Sequence, residues 1–340
     1  MDLKNKEYID KVQSAKVQST KELKAEILSL KKKKNAVIFA HYYTRPEIQE
    51  CADFIGDSLA LAQQATRVDA DILVMCGVHF MGETMKILCP EKKVLIPDMN
   101  AGCSLADSCK AEDLKEFIIK NSKLKIQNSV EGQKPIVVSY VNTTAEVKAL
   151  TDIVVTSSNA KKIVDQLPKD AKIIFGPDHN LGSYINAVTG REMILWNGAC
   201  HVHSRFSLEA LLQLKAANPG VEVLAHPECK APILAQSDVI GSTKALLEHT
   251  IRSSAKRFII ATESGILFEM QRACPDKEFI PVPPEVTEGV GCSCNECEYM
   301  RMNTLEKLYD CLQNETPEII VPQEIAEKAV LPIRRMLEMS

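Results

Sequence analysis

The chain has 340 residues, 45% of them apolar and 25% charged, which suits a globular protein of two or three domains at about 150 residues each. Its net charge of −4 excludes a general attraction to nucleic acid. The apolar runs are strand-sized, well short of the ~20 residues of a membrane span, and residues 1–6 show no secretory segment, so we expect a cytoplasmic protein.

Three segments of the chain repeat one pattern, and such a repeat sets the fold. Each copy opens with a short apolar strand that ends in polar residues, at 36–41, 136–142 and 221–226. An aspartate follows, with a hydroxyl residue five positions later; the pairs are Asp53 and Ser58, Asp152 and Ser157, Asp238 and Thr243. A helix is predicted to begin there, covering 59–64, 160–167 and 245–251.

The second half of each copy adds two more strands. The second strand is predicted at residues 71–75, 172–175 and 257–261. A polar loop that contains glycine follows at 77–83, 176–182 and 262–265. A third strand closes the copies at 93–96, 192–196 and 278–282.

Strands that alternate with helices predict an α/β fold in which parallel sheets carry helices on both faces. We therefore expect three small αβα domains related by pseudo-threefold symmetry. A single large dinucleotide-binding domain is the alternative, but no G-x-G-x-x-G follows a predicted strand. The predicted divisions are a helical segment at 1–34, repeats at 35–115, 116–205 and 206–290, and a ligand loop with C-terminal helices at 291–340.

Twelve cysteines are many for a chain of this length. In the cytoplasm they should be reduced, which favours metal binding or catalysis over a disulfide framework. Free cysteine is also among the most buried residue types, so some of the twelve are expected to be inert core residues. These are Cys76, Cys89, Cys229 and Cys311.

A cysteine follows the third strand of each copy, and Cys103, Cys200 and Cys297 stand 97 residues apart. Ligands gather at the carboxyl ends of parallel strands, so we expect the three thiolates to converge on one axis. They suit a zinc ion that keeps a fourth position for chemistry, or a four-iron four-sulfur cluster with one open iron. Inert cysteines in turns are the alternative interpretation, which we prefer for Cys109 and Cys274.

The third cysteine position is crowded. Cys294 and Cys297 form a C-x-x-C, the pattern of a redox dithiol, and Cys292 would complete three ligands for zinc. His201 and His203, beside Cys200, are the nearest additional pair for such a zinc site. The pattern indicates a metal and leaves its identity open.

Ser58, Ser157 and Thr243 stand where helices are predicted to begin. Each alone would be interpreted as a plain N-cap. Three helix N-termini with hydroxyls directed at one axis instead predict a receptor for several anionic groups, such as two carboxylates and a phosphate.

Polar residues also end the first strand of each copy, and they should lie at the same rim. They are His41, Tyr42 and Tyr43 in the first copy, Tyr140 and Asn142 in the second, and His226 and Glu228 in the third. Histidine and glutamate are natural general acids and bases, while tyrosine and asparagine can polarise a carbonyl. His79, His179 and His203 are equally consistent with hydrogen bonding inside loops.

Several stretches together resemble those of the quinolinate synthases, the iron–sulfur quinolinate synthase A family. They are AHYY at 40–43, DFIGDS at 53–58, MNAGCSLAD at 99–107, YVNT at 140–143, GPDHNLG at 176–182, AHPEC at 225–229 and TESG at 262–265. The resemblance implies three pseudo-symmetric α/β domains around a four-iron four-sulfur cluster. It implies that Cys103, Cys200 and Cys297 are the ligands and that the open iron binds substrate.

The resemblance also implies the reaction. A transferase of this family condenses iminoaspartate with dihydroxyacetone phosphate to quinolinate, phosphate and two waters in de novo NAD biosynthesis. It implies that Ser58, Ser157, Thr243, His41 and His226 hold acidic groups, His226 also being a catalytic candidate. Tyr43, Tyr140, Asn142 and Glu228 would handle proton transfer and orientation. Transient contact with the enzyme that makes iminoaspartate is expected, and contact with nucleic acid or a membrane is not.

The sequence departs from the family near the last ligand. Some members carry C-x-x-C-x-x-C there, whereas one residue separates Cys292 from Cys294, so a disulfide switch is not carried over. Cys294 is the nearest rival of Cys297 as a ligand. Two other functions stay open: a three-thiolate dehydratase acting on a related acid, and a zinc-stabilised scaffold or iron–sulfur electron carrier.

Overall fold

The computed structural model describes residues 19–122, 134–285 and 295–340. These residues form three sheets of four parallel strands each, and every sheet has the same spatial order of strands: second, first, third, fourth. The predicted α/β class with three similar units is therefore confirmed, and the single-domain alternative is wrong. Cys292 and Cys294 lie outside the described residues, and the predicted domain boundaries stay a prediction.

The first unit follows a helix, α1, whose described part covers residues 19–33. Its elements are β1 (Ala36–His41), α2 (Pro46–Gln49), β2 (Phe54–Gly56), α3 (Ser58–Ala65), β3 (Ile72–Cys76), α4 (His79–Leu88) and β4 (Lys93–Leu95). Two helices lead out of it, α5 (Ser104–Asp107) and α6 (Ala111–Ser122).

The second and third units repeat this order. The second contains β5 (Ile136–Tyr140), α7 (Ala145–Lys148), β6 (Ile153–Val155), α8 (Ala160–Gln166), β7 (Ile173–Gly176), α9 (His179–Thr189) and β8 (Ile194–Leu195). Helix α10 (Leu208–Ala217) precedes the third, which contains β9 (Glu222–Ala225), α11 (Ala231–Leu234), β10 (Val239–Ile240), α12 (Thr243–Arg252), β11 (Arg257–Ala261), α13 (Ile266–Ala273) and β12 (Glu278–Pro281). The chain ends with α14 (Glu298–Arg301), α15 (Leu305–Asn314) and α16 (Gln323–Met339).

Each sheet has one strand more than the sequence predicted. The additional strands β2, β6 and β10 have only two or three residues and lie just after the repeated aspartates. Two of the predicted polar loops are also mostly wrong, because α4 begins at His79 and α9 begins at His179, inside them. In the third unit the loop at 262–265 is correct, since α13 begins only at Ile266.

The repeated aspartates join the first two strands of every sheet. The Asp53 carboxylate accepts a hydrogen bond from the backbone N–H of Ile38 at 2.8 Å, and the Asp53 N–H donates to the Ile38 carbonyl at 2.8 Å. The same pair of bonds joins Asp152 to Val137 and Asp238 to Val223. This pair of hydrogen bonds sets the alignment of the two strands. The hydroxyl residue five positions later therefore lies at the carboxyl end of the sheet.

The central strands are buried, as expected of parallel sheets covered on both faces. All five residues of β3 are buried, and α16 packs on β6, α7 and α4, across the first two units. Within the three described ranges, no helix combines the length and apolarity needed to cross a membrane. The predicted core cysteines Cys76, Cys89, Cys229 and Cys311 are buried, as are Cys109 and Cys274.

Candidate active site

A cavity opens where the carboxyl ends of the three sheets meet. Tyr42 is not among the described residues that line it, whereas the twelve residues assigned a role from the sequence all do. They are Cys103, Cys200, Cys297, Ser58, Ser157, Thr243, His41, Tyr43, Tyr140, Asn142, His226 and Glu228. Their placement together follows from topology, since ligands collect at the carboxyl ends of parallel strands. Their individual roles stay predictions.

The first strands of the three units deliver side chains at two equivalent positions. At or directly after the strand end stand His41, Tyr140 and His226. Two residues further on stand Tyr43, Asn142 and Glu228. Each unit therefore contributes two polar groups to the cavity from the same place on its backbone.

The hydroxyls at the helix starts are not caps. Ser58 and Thr243 are the first residues of α3 and α12, and the capping side chains are Asp57 and Ser242, which accept hydrogen bonds from Ala60 and Ala245. The plain N-cap interpretation is therefore wrong for these two hydroxyls. Because neighbouring residues do the capping, the hydroxyls are directed into the cavity instead.

Hydrogen bonds cross between the units at this level. The Tyr43 hydroxyl of the first unit lies 2.6 Å from Thr243 Oγ1 and 3.1 Å from Thr262 Oγ1 of the third. His226 Nε2 of the third lies 3.2 Å from Ser157 Oγ of the second. A Cβ on Gly265 would lie 2.6 Å from the Tyr43 Cα, so glycine is needed where the TESG loop approaches the first unit.

Glu228 is buried and surrounded by hydrogen-bond donors. Its carboxylate lies 2.8 Å from His203 Nδ1 and 3.9 Å from His226 Nδ1, and only 3% of the side chain is exposed. Burial alone would raise the pKa of Glu228, but His203, His226 and Tyr140 outweigh it and hold the pKa well below its usual range. The carboxylate is therefore ionised inside the cavity, which is the state that a general base requires.

His203 is the main residue that sequence reasoning left undecided. Besides Glu228, it contacts Thr262 Oγ1 through Nε2 at 3.0 Å and stacks on His226 with ring centres 4.5 Å apart. Its Nδ1 also lies 3.4 Å from the Cys200 sulfur. Its position three residues after Cys200 was the available signal. His79 and His179 instead begin α4 and α9.

Two further histidines of the site, His41 and His226, are uncharged. Burial lowers the pKa of His41 to about 4, against the attraction of Asp57 and Glu228. Burial likewise lowers the pKa of His226 to about 3, against the attraction of Glu228. Both rings can therefore accept or donate a hydrogen bond to a substrate without carrying a charge at neutral pH.

This depressed pKa predicts a pH-dependent stability. As the pH falls below 6.5, the unfolded chain binds a proton at His226, while the folded protein does so only near pH 3. From about pH 7.5 to about pH 5, the wild type should lose about 2 kcal/mol of unfolding free energy relative to His226→Gln. Urea unfolding of the metal-free proteins at both pH values measures this. A difference that stays constant, or that changes in the opposite direction, would contradict a buried neutral His226.

The three candidate thiols sit at the starts of short helical turns. Burial raises the pKa of Cys103 to about 11, that of Cys297 to about 12, and that of Cys200 well above its ordinary value. Hydrogen bonds from nearby backbone N–H groups lower the same pKa values. The donors are Ala106 and Leu105 for Cys103, His203 for Cys200, and Met300 and Tyr299 for Cys297. A buried sulfur with amide donors fits a thiolate whose proton is replaced by a metal.

Two buried carboxyl groups hold the backbone beside two of these cysteines. One Asp178 oxygen accepts from the Cys200 N–H at 3.1 Å and the other from Leu181 at the start of α9 at 2.7 Å. One Glu263 oxygen accepts from the Cys297 N–H at 3.0 Å and the other from Gly265 at 2.6 Å. Sequence reasoning did not assign these residues, although both lie in quoted motifs.

The cavity offers metal ligands and few fixed positive charges. Cys200, His203 and Glu228 each present a ligand atom, and these atoms lie within 4.8 Å of one another. No lysine or arginine is among the described residues that line the cavity. Anionic substrates would therefore meet hydroxyls, histidines, helix N-termini and any bound metal rather than ammonium or guanidinium groups.

Comparison with known proteins agrees with the motif resemblance. The family model described as "NadA: Quinolinate synthetase A protein" matches residues 25–338. The protein named quinolinate synthase of Microcystis aeruginosa is 53% identical over 316 residues, which is 92% of this chain and 94% of the relative. Those of Chloroherpeton thalassium and Nostoc punctiforme are each 52% identical, covering 93% and 94% of this chain and 94% of each relative. The chain therefore belongs to the quinolinate synthase A family.

Proposed function

We propose that this protein condenses iminoaspartate with dihydroxyacetone phosphate to quinolinate, phosphate and two waters, a step of NAD biosynthesis. The observation that carries the proposal is that three thiols, three hydroxyls at or near helix starts and an ionised glutamate line one cavity. The names of its relatives agree with it. The reaction balances in atoms without an oxidant or a reductant, so the site has to move protons and remove oxygen groups.

The cofactor that we propose is a four-iron four-sulfur cluster held by Cys103, Cys200 and Cys297. The family is metal-dependent, and three thiols aided by amide donors are the sulfur-rich ligand set that iron–sulfur clusters take. When bound through three cysteines, such a cluster supplies Lewis acidity at its open iron. The mixed set of Cys200, His203 and Glu228 suits zinc instead, which metal analysis distinguishes.

The anionic groups of the substrates would be held at the ends of the three sheets. We assign the phosphate to Ser157 and the amide groups before α8, and the carboxylates to Ser58 and Thr243 at the starts of α3 and α12. His41 and His226 would add hydrogen bonds to these groups. The Tyr43 hydroxyl lies 2.6 Å from Thr243 Oγ1, and when Tyr43 is the donor of this bond, the Thr243 hydroxyl can donate its own hydrogen to a carboxylate.

Glu228 would carry the protons. Its ionised carboxylate can accept a proton from a carbon next to a carbonyl, and His203 at 2.8 Å stabilises it in the charged form. Burial raises the pKa values of Tyr43 and Tyr140 well above their usual range, so both remain protonated donors. They would orient and polarise substrate oxygen atoms during isomerisation and ring closure, with Asn142 beside them.

We further propose that the protein works in the cytoplasm on small-molecule substrates. Iminoaspartate is an imine and hydrolyses in water, so transient contact with the enzyme that makes it would shorten its exposure to solvent.

The test is quinolinate formation from the two substrates by iron-reconstituted protein under strict anaerobiosis. Product that appears only without oxygen would support both the reaction and a labile cluster. Brown protein with iron and sulfide in place but without product would point to a dehydratase acting on a related acid. Colourless, zinc-loaded protein after oxygen-free purification would overturn the cluster and favour a zinc-dependent role.

A further inference from the structure

A chain of hydrogen bonds joins three loops at the cavity wall. Ser104 Oγ lies 2.6 Å from His201 Nδ1, and His201 Nε2 lies 3.2 Å from the Glu298 carboxylate. The His201 ring also meets the Tyr299 ring edge-on, with centres 6.1 Å apart. Ser104 and His201 line the cavity, whereas the Glu298 side chain is 61% exposed.

The three members occupy one repeated position. Ser104, His201 and Glu298 are the residues directly after Cys103, Cys200 and Cys297, and they are separated by 97 residues each. One hydrogen bond therefore joins the candidate ligand loop of the first unit to that of the second, and another joins the loop of the second unit to that of the third. Hydrogen bonds between three copies of the same backbone position fix the copies relative to one another.

The loop of Cys103 lacks a support that the other two have. In each unit, one backbone hydrogen bond connects the residues after the third strand in sequence order to the ligand loop. An N–H group donates to a carbonyl of that loop, and the pairs are His79 to Ala101, His179 to Gly198, and Ser264 to Asn295. The residue before each donor is Val78, Asp178 and Glu263, respectively. Asp178 and Glu263 bind the N–H of Cys200 and Cys297, and the valine cannot replace them.

We infer that Ser104, His201 and Glu298 form a clasp that positions Cys103 against the other two thiols. The inference rests on the proposed function, in which these three cysteines share one metal cofactor. The Ser104–His201 bond ties the Cys103 loop to the Cys200 loop, which Asp178 anchors. Glu298 extends the link to the Cys297 loop, and its exposure makes that bond the weaker one.

The clasp is tested by metal retention in Ser104→Ala and His201→Phe. Residues that orient metal ligands typically affect affinity 10–100-fold, so we expect iron release to an external chelator to be about tenfold faster in both variants. The double variant should match His201→Phe, because that single change already breaks the bond to Ser104 as well as the weaker bond to Glu298. Ser104→Thr, which keeps the hydroxyl, should restore the slow release.

A second measurement uses the metal-free protein. Cobalt(II) bound by three thiolates gives a strong sulfur-to-metal absorption, which should weaken in Ser104→Ala while the thermal unfolding of the apo-protein stays close to that of the wild type. His249→Phe is the matched control, since His249 makes a 2.5 Å bond to Glu222 outside the cavity, and its iron release should be unchanged.

Two outcomes have different meanings. Release rates and cobalt spectra of Ser104→Ala and His201→Phe that match the wild type would overturn the clasp. Metal that stays bound in Cys103→Ala would instead overturn the ligand set of the proposed function.

Discussion

Replacing Glu228 with glutamine is expected to lower kcat by about 10²–10⁴-fold while the metal content and its absorption spectrum stay unchanged. Glutamine has nearly the same shape, so it keeps the volume of the cavity, but it cannot accept a proton. The neighbouring donors are arranged around a charge: His203 lies at 2.8 Å, and the pKa of Glu228 is held low by it.

The measurement is steady-state quinolinate formation by anaerobically reconstituted protein, with iron counted in each preparation. Glu222→Gln is the matched control, because Glu222 lies in the same strand region and its side chain bonds to His249 and Ser253, away from the cavity. It should retain full turnover. A Glu228→Gln enzyme that turns over at the wild-type rate would remove the proton-transfer role from this residue.

Replacing any one of Cys103, Cys200 and Cys297 with alanine is expected to abolish the bound cluster and, with it, measurable activity. Each thiol supplies a third of the protein ligands, and a cluster with two cysteines has two unprotected irons. Iron and sulfide analysis and the visible absorption of anaerobic protein give the answer. Cys109→Ala, six residues after the first ligand and buried, should keep its iron.

The pattern among the three variants identifies the metal site. A cluster on the three thiols requires all of them. A zinc ion on Cys200, His203 and Glu228 would be lost in Cys200→Ala and retained in Cys103→Ala and Cys297→Ala. The latter result would contradict the cluster assignment and would leave the fold and cavity as described.

The repeat made the sheets predictable because three copies of a pattern support one another. The sequence predicted the strands that are rich in apolar residues. Because the strands of each sheet are parallel, their carboxyl ends lie at the same edge of that sheet. The additional strands β2, β6 and β10 are too short for an alternating pattern to show. What holds them is a side chain: Asp53 and its two equivalents bond to the backbone of the first strand.

The site was predictable where a residue's place in the repeat determines its position. Cys200, Glu228 and Ser157 could be placed in this way, and all three line the cavity. The contacts of His203 and of the clasp depend on how loops from different units pack, which no local pattern encodes. The signal for the clasp was nevertheless present, since the 97-residue spacing of the cysteines also applies to Ser104 and His201.

The equivalent positions of Tyr43, Asn142 and Glu228 show what is gained by placing three units in one chain. A homotrimer of single units would have to present the same side chain three times around its axis. Three glutamates facing one another would repel, and at most one could carry a charge in so small a space. Fusion of the units lets each copy mutate separately, so a symmetric frame can surround an asymmetric set of reactive groups. An unsymmetrical ring such as quinolinate, whose atoms come from two different precursors, requires a site of that kind.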